Sequence, residues 1–232
     1  MISKSNEEFR NELLKRMGYS GVRDNYYPEY FEQLGIKSCV YCNSQFAITV
    51  RNVKGQKVAK FQVDHYFPKR EYPSFSISFY NLYPVCGPCN NSKSFNNVNF
   101  NLYSDNYSDY KSSKFQFELD KKSLVKYRVN GTNAVLKINF IDVVNSRFNE
   151  TFAIESIYNT QKDIAEELVI KSMIYNKTYT EVLKDSLTKL YKDKEPILAR
   201  LLVGNYTDEK DIHKRPMAKF TMDIARQLKL II

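Results

Sequence analysis

At 232 residues, with 43% hydrophobic and 14% aromatic content, the chain is long enough to bury one substantial core or two small ones, which excludes a disordered polymer. Its formal charge of +9 suits a polyanionic partner. No apolar run approaches the ~18 residues a membrane span needs, and the N-terminus MISKSNEEFRNELLKRMG lacks a secretory apolar stretch, so the cytoplasm is the default expectation.

In chain order, Ser5 to Met17 reads as a helix: Ser5 and Glu8 make a capping box, Phe9, Leu13 and Met17 recur at four-residue spacing, and Gly18 follows as a stop. A linker through Asn25, Tyr26, Tyr27 and Pro28 leads to a short helix ending near Gly35. Cys39-Val40-Tyr41-Cys42 has the spacing of a metal knuckle. Gln45 to Arg51 reads as a strand, a turn falls near Lys54-Gly55, and Lys57 to His65 returns as a second strand. On that strand Phe61 and Val63 share one face, while Gln62 and Asp64 take the other. Pro68 closes it soon after Asp64 and His65, leaving both side chains at a strand end where a loop can turn them toward substrate. Ser76 to Tyr83 is expected to form the strand carrying Asn81. A helix is expected beyond Cys89, with Asn90 near its N-terminus beside amides suited to phosphate, and Lys93 one turn further. Arg51 to Arg70 holds six cations (Arg51, Lys54, Lys57, Lys60, Lys69, Arg70) against the single carboxylate of Asp64, so the basic patch adjoins this stretch.

From Lys114 to Phe140 the pattern is that of strands: FQFEL, then LVKYRV, an Asn130-Gly131 turn, and AVLKINF, which together predict a β-hairpin. From about Arg147 the period is helical, through Ile157, Ile164 and Leu168, then Tyr179, Val182, Leu183, Leu187 and Leu190, with Thr178 and Glu181 as a capping box between them. Ile197, Leu198, Leu201 and Leu202 predict a short helix ended by Gly204-Asn205. Met217, Phe220, Ile224 and Leu228 predict a last one. His213, in His213-Lys214-Arg215-Pro216, reads first as a structural residue and second as a contact for nucleic acid or a partner.

The chemistry concentrates in Phe61 to Lys93. One imidazole (His65), one carboxylate (Asp64) and carboxamides (Asn81, Asn90) stand beside two Cys-x-x-Cys pairs, Cys39/Cys42 and Cys86/Cys89. Metal-assisted phosphodiester cleavage needs such a set: an oxygen-rich divalent site and a neutral imidazole that takes a proton from water. The pairs use up all four cysteines, and without a signal peptide a structural Zn²⁺ is favoured over disulfides, a redox site or core thiols.

The order Cys-x-x-Cys, Asp-His with a nearby Pro, Asn, then Cys-x-x-Cys-Asn-x-x-Lys resembles the HNH endonucleases of the ββα-metal fold, over Ser38 to Ser94. With Asn90 where the third letter is often His, it is the His-Asn-Asn variant that is resembled. The resemblance implies His65 as general base, Asp64 and Asn90 as ligands of a catalytic Mg²⁺ or Mn²⁺, and Asn81 as the brace of the loop bearing the base. Lys93 and Arg70 are expected at substrate phosphates, and Tyr66 lies near. The fold class expected is α+β: an N-terminal helical segment (1–37), an HNH core with structural zinc (38–104), and a β-hairpin with a mainly helical region (105–232). The function implied is cleavage of DNA, with RNA as the alternative. A further alternative is a zinc-stabilised nucleic-acid-binding subunit armed by a partner. The stretches RFNETFAIESIYN and GNYTDEKDIHKRPMAKF are similar to HNH proteins of bacterial anti-phage systems, including retron- and Septu-type ones, which implies a partner ATPase.

Overall fold

The computed structural model describes residues 4–94, 98, 115–131, 134–142, 147–175, 177–190 and 195–231. The boundary expected near residue 104 and the side chain of Ser5 lie outside the described residues. Within them the chain is mixed α and β, with three two-stranded antiparallel sheets.

Three helices lead in: α1 (Lys4–Arg16), α2 (Tyr19–Asn25) and α3 (Tyr27–Gln33). Gly18 ends α1 at φ 65°, as its sequence position predicts. The expected linker through Asn25 and Tyr26 is instead nearly all helical, because Pro28 sits in the first turn of α3, where its missing N–H costs nothing. Strands β1 (Ile48–Arg51) and β2 (Lys57–Lys60) pair across a turn in which Asn52 Oδ1 accepts from the backbone N–H of Lys54 and Gln56.

The long second strand expected from Lys57 to His65 is broken at Phe61. β3 (Gln62–His65) leaves β2 and pairs with β4 (Leu82–Val85). The cause is burial: Phe61 and Val63 drop onto Tyr27, Phe31 and Leu82, with the Phe61 ring edge-on to Phe31 at 5.3 Å. Asn81 does not lie on a strand as expected. It ends a 3₁₀ turn, Phe79–Asn81, and β4 begins one residue later with the fully buried run Leu82-Tyr83-Pro84-Val85. α4 (Gly87–Lys93) starts before Cys89, with Pro88 in its first turn, and packs against β3.

The hairpin expected at Asn130-Gly131 does not form. β5 (Phe115–Leu119) and β6 (Ile138–Asp142) pair antiparallel, but LVKYRV between them belongs to a helix, α5 (Lys121–Asn130). Asp120 caps that helix by accepting from Ser123 N at 2.8 Å, and Gly131 ends it at φ 59°. The alternation of Val125, Tyr127 and Val129 suggested a strand. Only Tyr127 is buried, while Val125 and Val129 stay exposed.

The rest is helical: α6 (Phe148–Phe152), α7 (Ile154–Asn159), α8 (Lys162–Ile174), α9 (Lys177–Leu190), α10 (Glu195–Val203), a 3₁₀ stretch (Glu209–Lys214) and α11 (Ala218–Gln227). α11 is buried continuously from Ala218 to Ala225. It and α7 close the two open edges of the β5–β6 sheet with side chains. Asp223 accepts from Phe117 N, and Gln227 both accepts from Leu119 N and donates to Leu119 O. On the other edge Asn159 brackets Ile138 in the same way and Glu155 accepts from Phe140 N. Backbone groups left unpaired there would each cost ~1–3 kcal/mol. One buried cluster runs from Cys39 to Leu228, so the cysteine-bearing segment and the C-terminal helices share a core.

Candidate metal centre and the Asp64–His65 site

Cys39 and Cys42 precede β1, while Cys86 and Cys89 flank the start of α4. The four sulfurs lie within 4.8 Å of one another, all buried and none in a disulfide. Tetrahedral Zn–S bonds of ~2.3 Å give S–S edges of about 3.8 Å, and Cys42 Sγ stands 3.9 Å from Cys86 Sγ. Contact with Cys39 holds the Cys42 and Cys86 thiols below the ordinary range, while burial pushes Cys39 up. A buried set of four interacting sulfurs, with protons to shed, is the donor chemistry of a structural zinc, and the cluster is positioned to hold such an ion. Ser44 Oγ donates to Cys42 Sγ and Tyr158 Oη donates to Cys42 O, which ties the knuckle to α7.

Asn43, between the knuckle and β1, takes φ 54° and grips four groups. Its amide nitrogen donates to Ser38 Oγ and Ile212 O, its Oδ1 accepts from Lys219 N, and its backbone carbonyl accepts from Met217 N. The cysteine cluster is thereby pinned to the C-terminal 3₁₀ stretch and α11. Only the αL tolerance of Asn hints at this role in the sequence.

Asp64 and His65 end β3, both almost fully buried. His65 Nε2 lies 3.0 Å from Ser76 O. A carbonyl only accepts, so Nε2 carries the proton in the neutral ring and Nδ1 keeps its lone pair. Nδ1 has no hydrogen-bond partner among the described residues. Burial pushes His65 below its ordinary value, against the pull of the Ser76 hydrogen bond, so the ring is neutral near pH 7. Tyr19 tilts over the ring at 5.8 Å, and Lys69 sits 4.6 Å above the Tyr19 ring. With Lys15, these two also line an open cleft of about 390 Å³.

The loop after His65 is held by one side chain. Asn81 Oδ1 accepts from Phe67 N at 2.7 Å, and its amide donates to Phe67 O and Phe75 O at 3.1 Å each.

Asp64 is saturated. Tyr41 Oη donates to it at 2.5 Å, and Lys93 Nζ, entirely buried, lies 3.0 Å from Oδ2 and also donates to His65 O. Burial and the nearby carboxylate push the Tyr41 phenol far up, so it remains a donor. Lys93 therefore points inward and not at the surface where a phosphate would meet it. Asn90 is two residues along the same face: its amide donates to Gln62 Oε1 at 2.7 Å, and its backbone N–H is taken by Cys86 O rather than free for an anion. Arg70 is exposed on the loop. Lys57, of the basic window, is matched by Glu29 and Glu32.

Tyr41 and Ser76 carry no signal in the sequence. The first sits in the variable pair of a Cys-x-x-Cys, and the second contributes through its backbone carbonyl. His213 is structural in its main contacts, its carbonyl accepting from Lys37 N and Ser38 N. Among the described residues, no helix is long and apolar enough to cross a membrane. No protein-family model, curated protein or solved structure matches the chain.

Proposed function

We propose that the chain is a metal-dependent phosphodiester hydrolase, an endonuclease of the HNH type whose ββα unit is β3, β4 and α4. The observation that carries this reading is the tautomer of His65. Its Nε2–H is spent on the Ser76 carbonyl, which leaves Nδ1 as the proton acceptor that general-base attack by water requires. Asn81 supports it by holding the loop that supplies that carbonyl. The cysteine cluster, once it holds zinc, keeps the start of α4 in register with the knuckle before β1.

For a catalytic Mg²⁺ or Mn²⁺ the donors fit in kind and not in present partnership. Asp64 and Asn90 offer oxygen, but the first is matched by Lys93 and the second by Gln62. When bound, such an ion supplies Lewis-acid polarisation of the phosphate. DNA as substrate, a place in anti-phage defence and a partner ATPase follow from the resemblance given above, with RNA as the alternative polymer. The saturated Asp64 and the buried His65 favour a second reading, in which the chain is a subunit whose site opens when a partner acts on it.

The test is His65→Ala, assayed on plasmid DNA and total RNA with Mg²⁺ or Mn²⁺. Loss of the base lowers cleavage at least ~100-fold, with zinc content and melting temperature close to those of the unaltered chain. Undiminished cleavage in that variant removes His65 from the reaction.

A further inference from the structure

The segment from Gly204 to Arg215 lies outside everything assigned above, and it gathers cations around one ring. The guanidinium carbons of Arg200 and Arg215 stand 4.4 and 5.4 Å from the centroid of Tyr206, and Lys214 Nζ stands 5.8 Å from it. Lys214 is matched by Asp211 at 2.7 Å. Neither arginine has a carboxylate partner among the described residues. Arg215 is oriented by donating to Gly204 O at 3.0 Å, and Lys171 Nζ comes within 3.9 Å of where a Gly204 side chain would begin. Arg200, Leu201, Gly204 and Arg215 line an open cleft of about 390 Å³.

Two guanidiniums on one ring are no more than ~10 Å apart, about one Debye length at physiological salt, so neither is fully screened from the other. The ring attracts each by only ~0.5–1 kcal/mol at an exposed site, and no acid offsets their repulsion. Such a pair is complementary to a phosphate, which guanidinium forks bind in bidentate fashion. The lining favours a polymer over a free nucleotide: Leu201 is the sole apolar side chain in it, and no enclosed slot for a base is present.

We propose that the Arg200–Arg215 cleft is a second phosphate-binding site, one that takes a backbone phosphate of nucleic acid outside the His65 site. It rests on the reading above for the identity of the polymer, and not on catalysis.

The experiment uses the full chain carrying His65→Ala, so that nothing is cut, and follows binding of a short labelled duplex DNA and a single strand by fluorescence anisotropy. Adding Arg200→Gln and Arg215→Gln lowers affinity at least tenfold, and it flattens the plot of log affinity against log salt by about 2, near 0.9 per lost phosphate contact. Affinity and slope unchanged by the double substitution overturn this site and leave the His65 reading standing. No binding of either polymer by the parent chain overturns both. Phenylglyoxal labelling of the unaltered chain settles the matter without any substitution: DNA protects Arg200 and Arg215, whereas protection by inorganic phosphate alone, with none by DNA, overturns the nucleic-acid occupant.

Discussion

His213 shows how one ring can set a pH limit. Burial, with Nδ1 sealed from solvent and lacking a partner, pushes it down to about 4 from an ordinary 6.5, although the residue as a whole is only half-buried. The folded chain thus binds this proton less readily than the unfolded one. Stability is full above pH ~6.5 and is lost as pH falls from there toward 4, by at most ~3 kcal/mol. His65, also lowered, adds in the same direction. Urea unfolding at a series of pH values checks this: His213→Leu flattens the acid limb, and an unchanged limb removes the assignment. Lys93 makes a second test. Lys93→Met strands a buried carboxylate and costs ~3–5 kcal/mol. Because Asp64 is then free to accept another cation, Mg²⁺ raises the melting temperature of the variant more than that of the unaltered chain. Equal shifts mean that Lys93 does not guard the carboxylate. The four cysteines, Asp64 and His65 stood out in the sequence because their spacing is itself chemical information. Tyr41, Asn43 and Gln62 did not, since what they grip is brought to them from 23 to 176 residues away.

At the level of elements, periodicity located the C-terminal helices well and failed where a local cap outweighed it. LVKYRV alternates like a strand, but Asp120 and Ser123 before it form an N-cap, and the helix that follows buries Tyr127. Asp120→Ala removes that cap and costs ~1 kcal/mol in urea unfolding; no loss would mean that β5 and β6 hold α5 in place unaided. The break at Phe61 was illegible for another reason. An apolar side chain in an alternating run reads the same whether it continues one sheet or drops onto Tyr27 and Phe31 to begin the next. The sheet edges closed by Gln227 and Asn159 are equally silent in sequence, since a carboxamide on a helix gives no sign that it completes a distant strand.

Across the whole molecule, the sulfur cluster and the C-terminal helices form one mechanical unit through Asn43, Tyr158 and the shared core. Stripping the metal with a chelator is therefore expected to unfold the chain cooperatively, with amide exchange accelerating in α11 as well as around the cysteines. Exchange confined to 38–44 and 86–93 would show the metal to be a local clip. The same wiring has a consequence for the order of events on the ribosome. Cys39 and Cys42 emerge early, yet their sulfur partners follow more than forty residues later, and Met217 and Lys219, which close around Asn43, are among the last to leave the exit tunnel. Until then the nascent chain holds open the place that its final helix is to fill, and a message truncated before Ala218 would release a product that never latches.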